Sequence, residues 1–339
     1  MESTVLERLR ESLSERRQAL AEWFRQAPPE ARRTRTGLLG DEGIQEEIQT
    51  LDEALRKTND KTLGICDVCH DYVDTSRLEM DYTASVCIEH LTGEEKTMLE
   101  NELELSQKVQ KALLPNQVPS IRGLEVAAFS QPAHIVGGDY FDFFQFRDGL
   151  HGFVIADVMG KGMPASLLMA SFQASLKIIA PESTDAAEVV ARLNHLFCHN
   201  IRLTKFVTVF LGRYDERSRV FEYCNAGHNP PLLRRQNGTI ESMNPTGAAI
   251  GLVEQAQFQV ASVVLRPEDR ILFYTDGVVE ARNAETEEYG QKRLEELLSA
   301  RTSASAPQLI EHLKEGLRAF SGTRIPLDDT TVIAVRVMK

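Results

Sequence analysis

The chain has 339 residues, of which 42% are hydrophobic and 26% charged, and a formal net charge of −12. That length can hold more than one domain, and the composition is that of a globular protein. The negative balance excludes a generally nucleic-acid-binding surface; no apolar run reads as long enough to span a bilayer, and Met1-Glu-Ser-Thr lacks the character of a signal peptide, so a cytoplasmic protein is expected.

In chain order, Leu6, Leu9, Leu13, Leu20 and Trp23 recur at helical steps, and Ile44, Ile48, Leu51 and Leu55 repeat the pattern. Pro28, Pro29, Gly37, Gly40 and Gly43 interrupt it, and these residues end a helix and permit a turn. The pattern predicts an antiparallel helical hairpin; two helices packed on a larger body would read alike. Next come Cys66-Asp-Val-Cys69 and Cys87-Ile-Glu-His90. Two residues between the members of each pair let both reach one ion, and such a set suits a closed, structural, tetrahedral zinc site. His70 is a rival fourth ligand, but His90 repeats the spacing of the first pair. An odd total of five cysteines in a reducing compartment argues against a disulfide framework. Cys198 and Cys224 read as small apolar residues.

Residues 1–100 resemble the DksA/TraR zinc-finger family, in which a helical hairpin leads into such a knuckle; cysteine is usual where His90 stands. The resemblance implies a contact with RNA polymerase through an acidic hairpin tip. Here the tip, Pro28 to Asp41, carries Arg32, Arg33 and Arg35 and lacks the acidic pair, which argues against that contact.

Thr92 and Glu95 form a capping-box pattern ahead of a helical stretch that ends at Pro115. Its broad apolar face, with Met98, Leu99, Leu103, Leu105, Val109 and Leu113, suits either packing on the following domain or pairing with a second copy. A homodimer is therefore expected, with a regulatory domain over 1–91, a linker helix over 92–115 and a catalytic domain over 116–339.

From Val118 onward the texture is short apolar strands punctuated by Gly, Asn and Pro. Strands are expected near 125–129, 140–146, 152–156, 206–214, 220–225, 231–234, 258–265, 270–274 and 331–337, and helices near 164–180, 186–200, 291–300 and 306–320. That order predicts an α+β fold of antiparallel sheets flanked by helical layers. Asp139, Asp157, Asp276 and Asp328 each sit at a strand edge or turn, and together they suggest one convergent site. An all-carboxylate set selects Mg²⁺ or Mn²⁺. Two such ions can deprotonate a water for in-line attack on phosphorus, with no covalent nucleophile. Gly160-Lys161-Gly162 lacks P-loop spacing. His195 and His199 read as surface or packing residues, and His228 as part of a local turn.

Gly137-Gly-Asp-Tyr-Phe-Asp142, Ala156-Asp-Val-Met-Gly-Lys-Gly-Met-Pro-Ala165, Asn225-Ala-Gly-His-Asn-Pro230, Tyr274-Thr-Asp-Gly-Val-Val-Glu280 and Leu327-Asp-Asp-Thr-Thr331 are similar to the metal-dependent serine/threonine protein phosphatases, in their SpoIIE/RsbU-like branch. The resemblance covers about residues 105–337 and includes Gln110-Lys-Ala-Leu-Leu-Pro115. It implies an α-β-β-α sandwich with two Mn²⁺ or Mg²⁺ ions between the sheets. Asp157 would bridge them, Asp139 would hold one ion or its water, the Val158 carbonyl would add a ligand, and Asp276 with Asp328 would complete the second site. Asp329 is the alternative to Asp328. Met159 stands where other branches carry a proton-donating histidine, and His134 is a candidate phosphate contact. The implied substrate is a phosphoserine on an anti-anti-sigma STAS-domain protein within partner switching. The rival reading is a catalytically inactive scaffold that engages a transcription complex through the hairpin.

Overall fold

The structure is a computed structural model that describes residues 3–26, 28, 40–73, 78, 82–200, 206–322 and 328–339. The hairpin tip with Arg32, Arg33 and Arg35 therefore lies outside the described residues. The chain divides into two compact units, Met1–Glu102 and Leu103–Lys339.

In the first unit, helices α1 (Ser3–Gln26) and α2 (Gly40–Asn59) bury the apolar stripes read from the sequence. Leu9, Leu13 and Leu20 pack with Ile44, Leu51 and Ala54. Arg17 reaches Asp52 with hydrogen bonds of 2.9 and 3.2 Å, while residues near the start of α1, such as Leu6 and Arg10, share a groove with Thr58 and Asn59 at the end of α2. The two helices thus run antiparallel. Leu63, Cys66, Val73 and Leu78 extend the same small core into the cysteine segment. Helix α3 (Gly93–Leu113) opens as its sequence predicts: the Thr92 N–H donates to Glu95 Oε2 at 2.8 Å, and the Glu95 N–H donates to Thr92 Oγ1 at 3.2 Å. The division between the units falls within this helix.

The second unit holds two five-stranded antiparallel sheets. One has the order β1 (Leu124–Gln131), β10 (Thr330–Val337), β9 (Arg270–Tyr274), β6 (Leu232–Arg234), β7 (Ile240–Ser242). The other has the order β2 (Tyr140–Gln145), β3 (His151–Val158), β4 (Val207–Asp215), β5 (Val220–Ala226), β8 (Ala261–Val264). Side chains alternate along a strand, and this period sorts every strand residue into a layer. Phe153, Ile155, Phe210, Phe221, Ile271, Phe273, Ile333 and Val335 fill the space between the sheets. Phe273 stacks on Phe153 with centroids 6.4 Å apart and meets Phe210 edge-on at 5.4 Å. The intervening residues face helices. Val154, Ala156 and Val158 pack under α4 (Gly162–Ile179) and α5 (Ala186–Asn200), and Leu272, Tyr274, Val332 and Ala334 pack under α7 (Gly290–Ala300) and α8 (Ala306–Ser321).

Three expectations need correction. The strand near 258–265 is shorter, Ala261–Val264, because only that stretch finds a partner in β5. Strand β7 and the one-turn helix α6 (Asp276–Val279) were not expected; both are too short to leave a periodic signal. The stretch Gly162–Glu182 is long and apolar enough to cross a membrane by length and composition. Here Ala165, Met169, Phe172, Leu176 and Ile179 on one face of it are buried in the core.

Candidate active site: carboxylates between the sheets

Asp139 precedes Tyr140 of β2 and shares the parity of Phe141. Asp157 follows Phe153 and Ile155 at the same parity in β3. Asp329 stands two residues before Thr331 and four before Ile333. Each therefore points into the gap between the sheets, where the apolar filling runs out. Asp276 comes directly after β9, as the first residue of α6. Asp142 has the opposite parity: it faces the helices, where Tyr140 Oη donates to its Oδ2 at 2.5 Å and Lys177 Nζ lies 2.5 Å away. Its acceptors are spoken for, so it braces the helical layer.

The geometry distinguishes Asp328 from Asp329. Asp329 is buried; its Oδ1 accepts from the Ala133 N–H at 2.8 Å and its Oδ2 from the Gly138 N–H at 2.6 Å. It ties down the loop that carries Asp139. Asp328 is more open: its Oδ2 meets Lys161 Nζ at 2.7 Å and its Oδ1 accepts from the Asp329 N–H at 2.9 Å. Asp139 is buried, and its Oδ2 accepts from Thr275 Oγ1 at 2.8 Å. Its Oδ1 is buried with no hydrogen-bond partner.

These carboxylates act on one another. Burial first, then the charges of Asp276, Asp328, Asp329 and Glu280, pushes Asp157 up to about 7. Burial, then Asp328 and Glu280, pushes Asp276 up to about 6. Asp139 is held well above the carboxylate range by burial and by Asp157 and Asp329, against hydrogen bonds from Thr331 and Thr275. Converging like charges with upward shifts are costly unless a cation enters. An oxygen-only donor set and an orphaned buried Asp139 Oδ1 fit a hard divalent ion at this place. Gly138 adds to the fit, because a Cβ there would stand 2.8 Å from the Val158 carbonyl oxygen. Glycine lets that carbonyl and the Asp139 backbone come close.

The structure places Asp139, Asp157, Asp276, Asp328 and Asp329 near one another, with the Val158 carbonyl close to Gly138. His134 is exposed on the loop held by Asp329. Four contributors stand inside the quoted motifs but were given no role from the sequence: Thr275, Glu280, Lys161 and Gln110. Buried Gln110, near the end of α3, donates from Nε2 to the Gly137 carbonyl at 2.6 Å and accepts from the Gly137 N–H at 3.0 Å. One side-chain amide thereby saturates the backbone of the residue two before Asp139.

In the first unit, Cys66, Cys69, Cys87 and His90 also converge, with ligand atoms all within 4.8 Å of one another. Cys66 Sγ lies 3.7 Å from His90 Nδ1, and Cys69 Sγ lies 3.8 Å from Cys87 Sγ. Burial acts to raise Cys66, but hydrogen bonds from the backbones of Cys69, Cys87 and Val68 outweigh it and lower the thiol to about 6. Donors aimed at a sulfur favour thiolate, the form that binds metal. Among the described residues His70 is not part of this cluster.

The family model for stage II sporulation protein E, SpoIIE, matches residues 147–338. The chain belongs to this family. The region is a protein serine/threonine phosphatase domain of the SpoIIE kind. The chain is 29% identical over 261 residues to protein IcfG of Synechocystis sp., covering 69% of this chain and 41% of that one. It is 27% identical over 239 residues to the phosphoserine phosphatase RsbU of Bacillus subtilis, covering 70% of each. The chain thus spans less than half of IcfG but about two thirds of RsbU. Among solved structures, the SiaA-PP2C domain of Pseudomonas aeruginosa superposes with a TM-score of 0.65 at 20% identity, over 72% of this chain and 99% of that one. The RsbU and RsbW domains of Rv1364c from Mycobacterium tuberculosis give 0.57 at 28% identity, over 67% and 63%. The SpoIIE match begins after Asp139, so that residue's place in the site rests on the geometry above.

Proposed function

We propose that the chain is a metal-dependent protein phosphatase that hydrolyses phosphoserine or phosphothreonine on a regulatory protein. The observation that carries this reading is the crowding of Asp139, Asp157, Asp276 and Asp328 in one gap, with Asp157 pushed to about 7 by burial and by its neighbours. Asp157 would bridge two ions. Asp139 would hold one of them or its water, the Val158 carbonyl would add a ligand, and Asp276 and Asp328 would complete the second site. Bound Mn²⁺ or Mg²⁺ supplies a water deprotonated near neutral pH and neutralises charge on the phosphoryl oxygens. The chain's own part is positional. Thr275 orients Asp139, Asp329 holds the 133–138 loop, and Gln110 holds Gly137. Met159 offers no proton, so the leaving alkoxide would take its proton from water. His134 is the candidate contact for the phosphate.

The likeness to RsbU supports phosphoserine as the substrate class, and a phosphorylated STAS-domain protein in a cytoplasmic partner-switching circuit is the substrate we infer. The first unit would be regulatory, as a DksA/TraR-like hairpin stapled by one zinc ion at Cys66, Cys69, Cys87 and His90. Residues 1–91 would form that domain, 92–115 the linker helix and 116–339 the catalytic domain. Exposed Met98, Leu99, Leu105 and Val109 on α3 support a homodimer through the linker.

The test is phosphate release from phosphorylated STAS proteins of the same genome by the full chain. Release should require Mn²⁺ or Mg²⁺, stop on chelation and fall to background in Asp157→Asn with the fold retained. Undiminished turnover in that variant sinks the two-metal reading.

A further inference from the structure

The phosphatase reading uses none of the histidines of α5. His195 and His199 stand one turn apart on one face of that helix. Both are exposed, with ring centroids 4.2 Å apart. Glu254 reaches the same spot from the 251–256 segment. One nitrogen from each ring and one carboxylate oxygen all lie within 4.8 Å of one another. The approach is built, because Asn194 pins that segment to the helix. Buried Asn194 donates from Nδ2 to the carbonyls of Val253 at 2.9 Å and Glu254 at 3.2 Å, and its Oδ1 accepts from the Gly251 N–H at 2.9 Å.

The His199 ring reveals what belongs between these groups. Its Nδ1 lies 2.9 Å from the His195 carbonyl oxygen. A carbonyl can only accept, so Nδ1 carries the hydrogen, and the neutral ring has its lone pair on Nε2. Nε2 faces Glu254 Oε1 at 3.4 Å. Two acceptors aimed at each other call for either a proton or a metal ion between them, and the nearby His195 ring makes room for the ion. The separation equals the edge, roughly 3.4 Å, of a tetrahedron whose bonds are about 2.1 Å, as around zinc. A backbone carbonyl on the far nitrogen is also the usual outer contact of a metal-bound imidazole. Two imidazoles and one carboxylate make a borderline donor set, which favours zinc-class ions over Mg²⁺ or Mn²⁺.

We propose that His195, His199 and Glu254 form a surface site for a zinc-class divalent ion, which ties the 251–256 segment to α5. It stands apart from the carboxylate cluster in donor chemistry, and its remaining coordination positions open to water.

The test uses the full chain, first saturated with zinc and freed of loose metal, then held in excess Mg²⁺. Calorimetric titration with Zn²⁺ compares wild type, the double variant His195→Ala/His199→Ala, and Glu254→Gln. Total zinc before and after is counted by elemental analysis. Wild type should hold about one more zinc ion per chain than the double variant, as a single site requires. Glu254→Gln should bind it roughly tenfold or more weakly, since even an outer-shell partner is worth ~10–100-fold in metal affinity. Zinc should raise the unfolding temperature of wild type more than that of the double variant. Because the readout is a difference between chains with the same cysteines, occupancy of the Cys66 cluster drops out. Equal zinc content in wild type and the double variant overturns the proposal, and leaves His199 and Glu254 as a plain imidazolium–carboxylate pair.

Discussion

Adjacent aspartates with one sequence signature do different jobs. Asp329 is a hydrogen-bond hub, while Asp328 keeps an open carboxylate beside Lys161. Asp329→Ala removes the acceptor for two N–H groups, each charged bond contributing ~1.5–3 kcal/mol. It should lower unfolding stability by about 3 kcal/mol in denaturant titrations. Asp328→Asn should leave stability nearly unchanged and weaken Mn²⁺ binding; the reverse pattern would exchange their roles. His228 gives a second residue-scale expectation. It is buried, with Nδ1 2.9 Å from Thr208 Oγ1, and Thr208 pairs with Asp157 across β3 and β4. Burial lowers its imidazole from 6.5 to about 3, with the Tyr274 backbone acting the other way. The unfolded chain takes up this proton below about 6.5, and the folded chain refuses it until about 3. The stabilisation is therefore present above pH 6.5 and is lost as pH falls through that window, at up to about 1.4 kcal/mol per pH unit. Urea unfolding at pH 7 and 5 should show a shallower acid loss in His228→Asn than in wild type. Equal losses would remove His228 from the account. The aspartates stood out as candidates because each sits at a strand edge or turn, Asp139 and Asp276 directly beside a glycine. Thr275 and Gln110 did not, since each is ordinary in its own segment and acts only through a partner 27 or more positions away.

At the level of elements, short apolar runs punctuated by Gly, Asn and Pro made most strands readable, while the alternation of side chains in the folded β3 carries Asp157 to the inner face. Where the pattern had three or four residues to work with, as in β7 and α6, tertiary pairing decided and the sequence was silent. Helix α3 was legible as a helix from its capping box and apolar positions. What those positions cover was not legible, because periodicity names a face without naming its partner. Leu99 is exposed and Leu103 half-buried. Charged substitution of both should weaken self-association, measured by sedimentation, and change the phosphatase rate together with it. Wild-type rate in a monomeric double variant would separate association from activity. Gln110 lies two turns beyond Leu103 on the same helix and holds Gly137, so a rate change in that variant would be expected to travel through this contact.

On the scale of the whole molecule, each unit has its own core. Removing one of the proposed zinc ligands should be felt within one unit. Cys66→Ser should speed hydrogen exchange over residues 60–95 and leave the sheets of 103–339 protected. Loss of protection in β3 or β9 would show that the units do not stand alone. The convergence of Cys66, Cys69, Cys87 and His90 was readable from spacing, because two intervening residues let both members of a pair reach one point.

Strand β10 lies between β1 and β9, and β1 has no other strand partner among the described residues. During synthesis β1 emerges roughly 200 residues ahead of the strand that will hold it, a delay of ~10–40 s at ordinary elongation rates. Asp329, the clasp on the Ala133–Gly138 loop, arrives with that same late strand. A ribosome stalled between Asn200 and Asp328 thus carries a nascent chain with both helices of the β3 side in hand, an unpaired β1 edge and an incomplete set of carboxylates. Phosphatase activity should therefore switch on in a single late step of translation, and the waiting edge is where a chaperone would be needed.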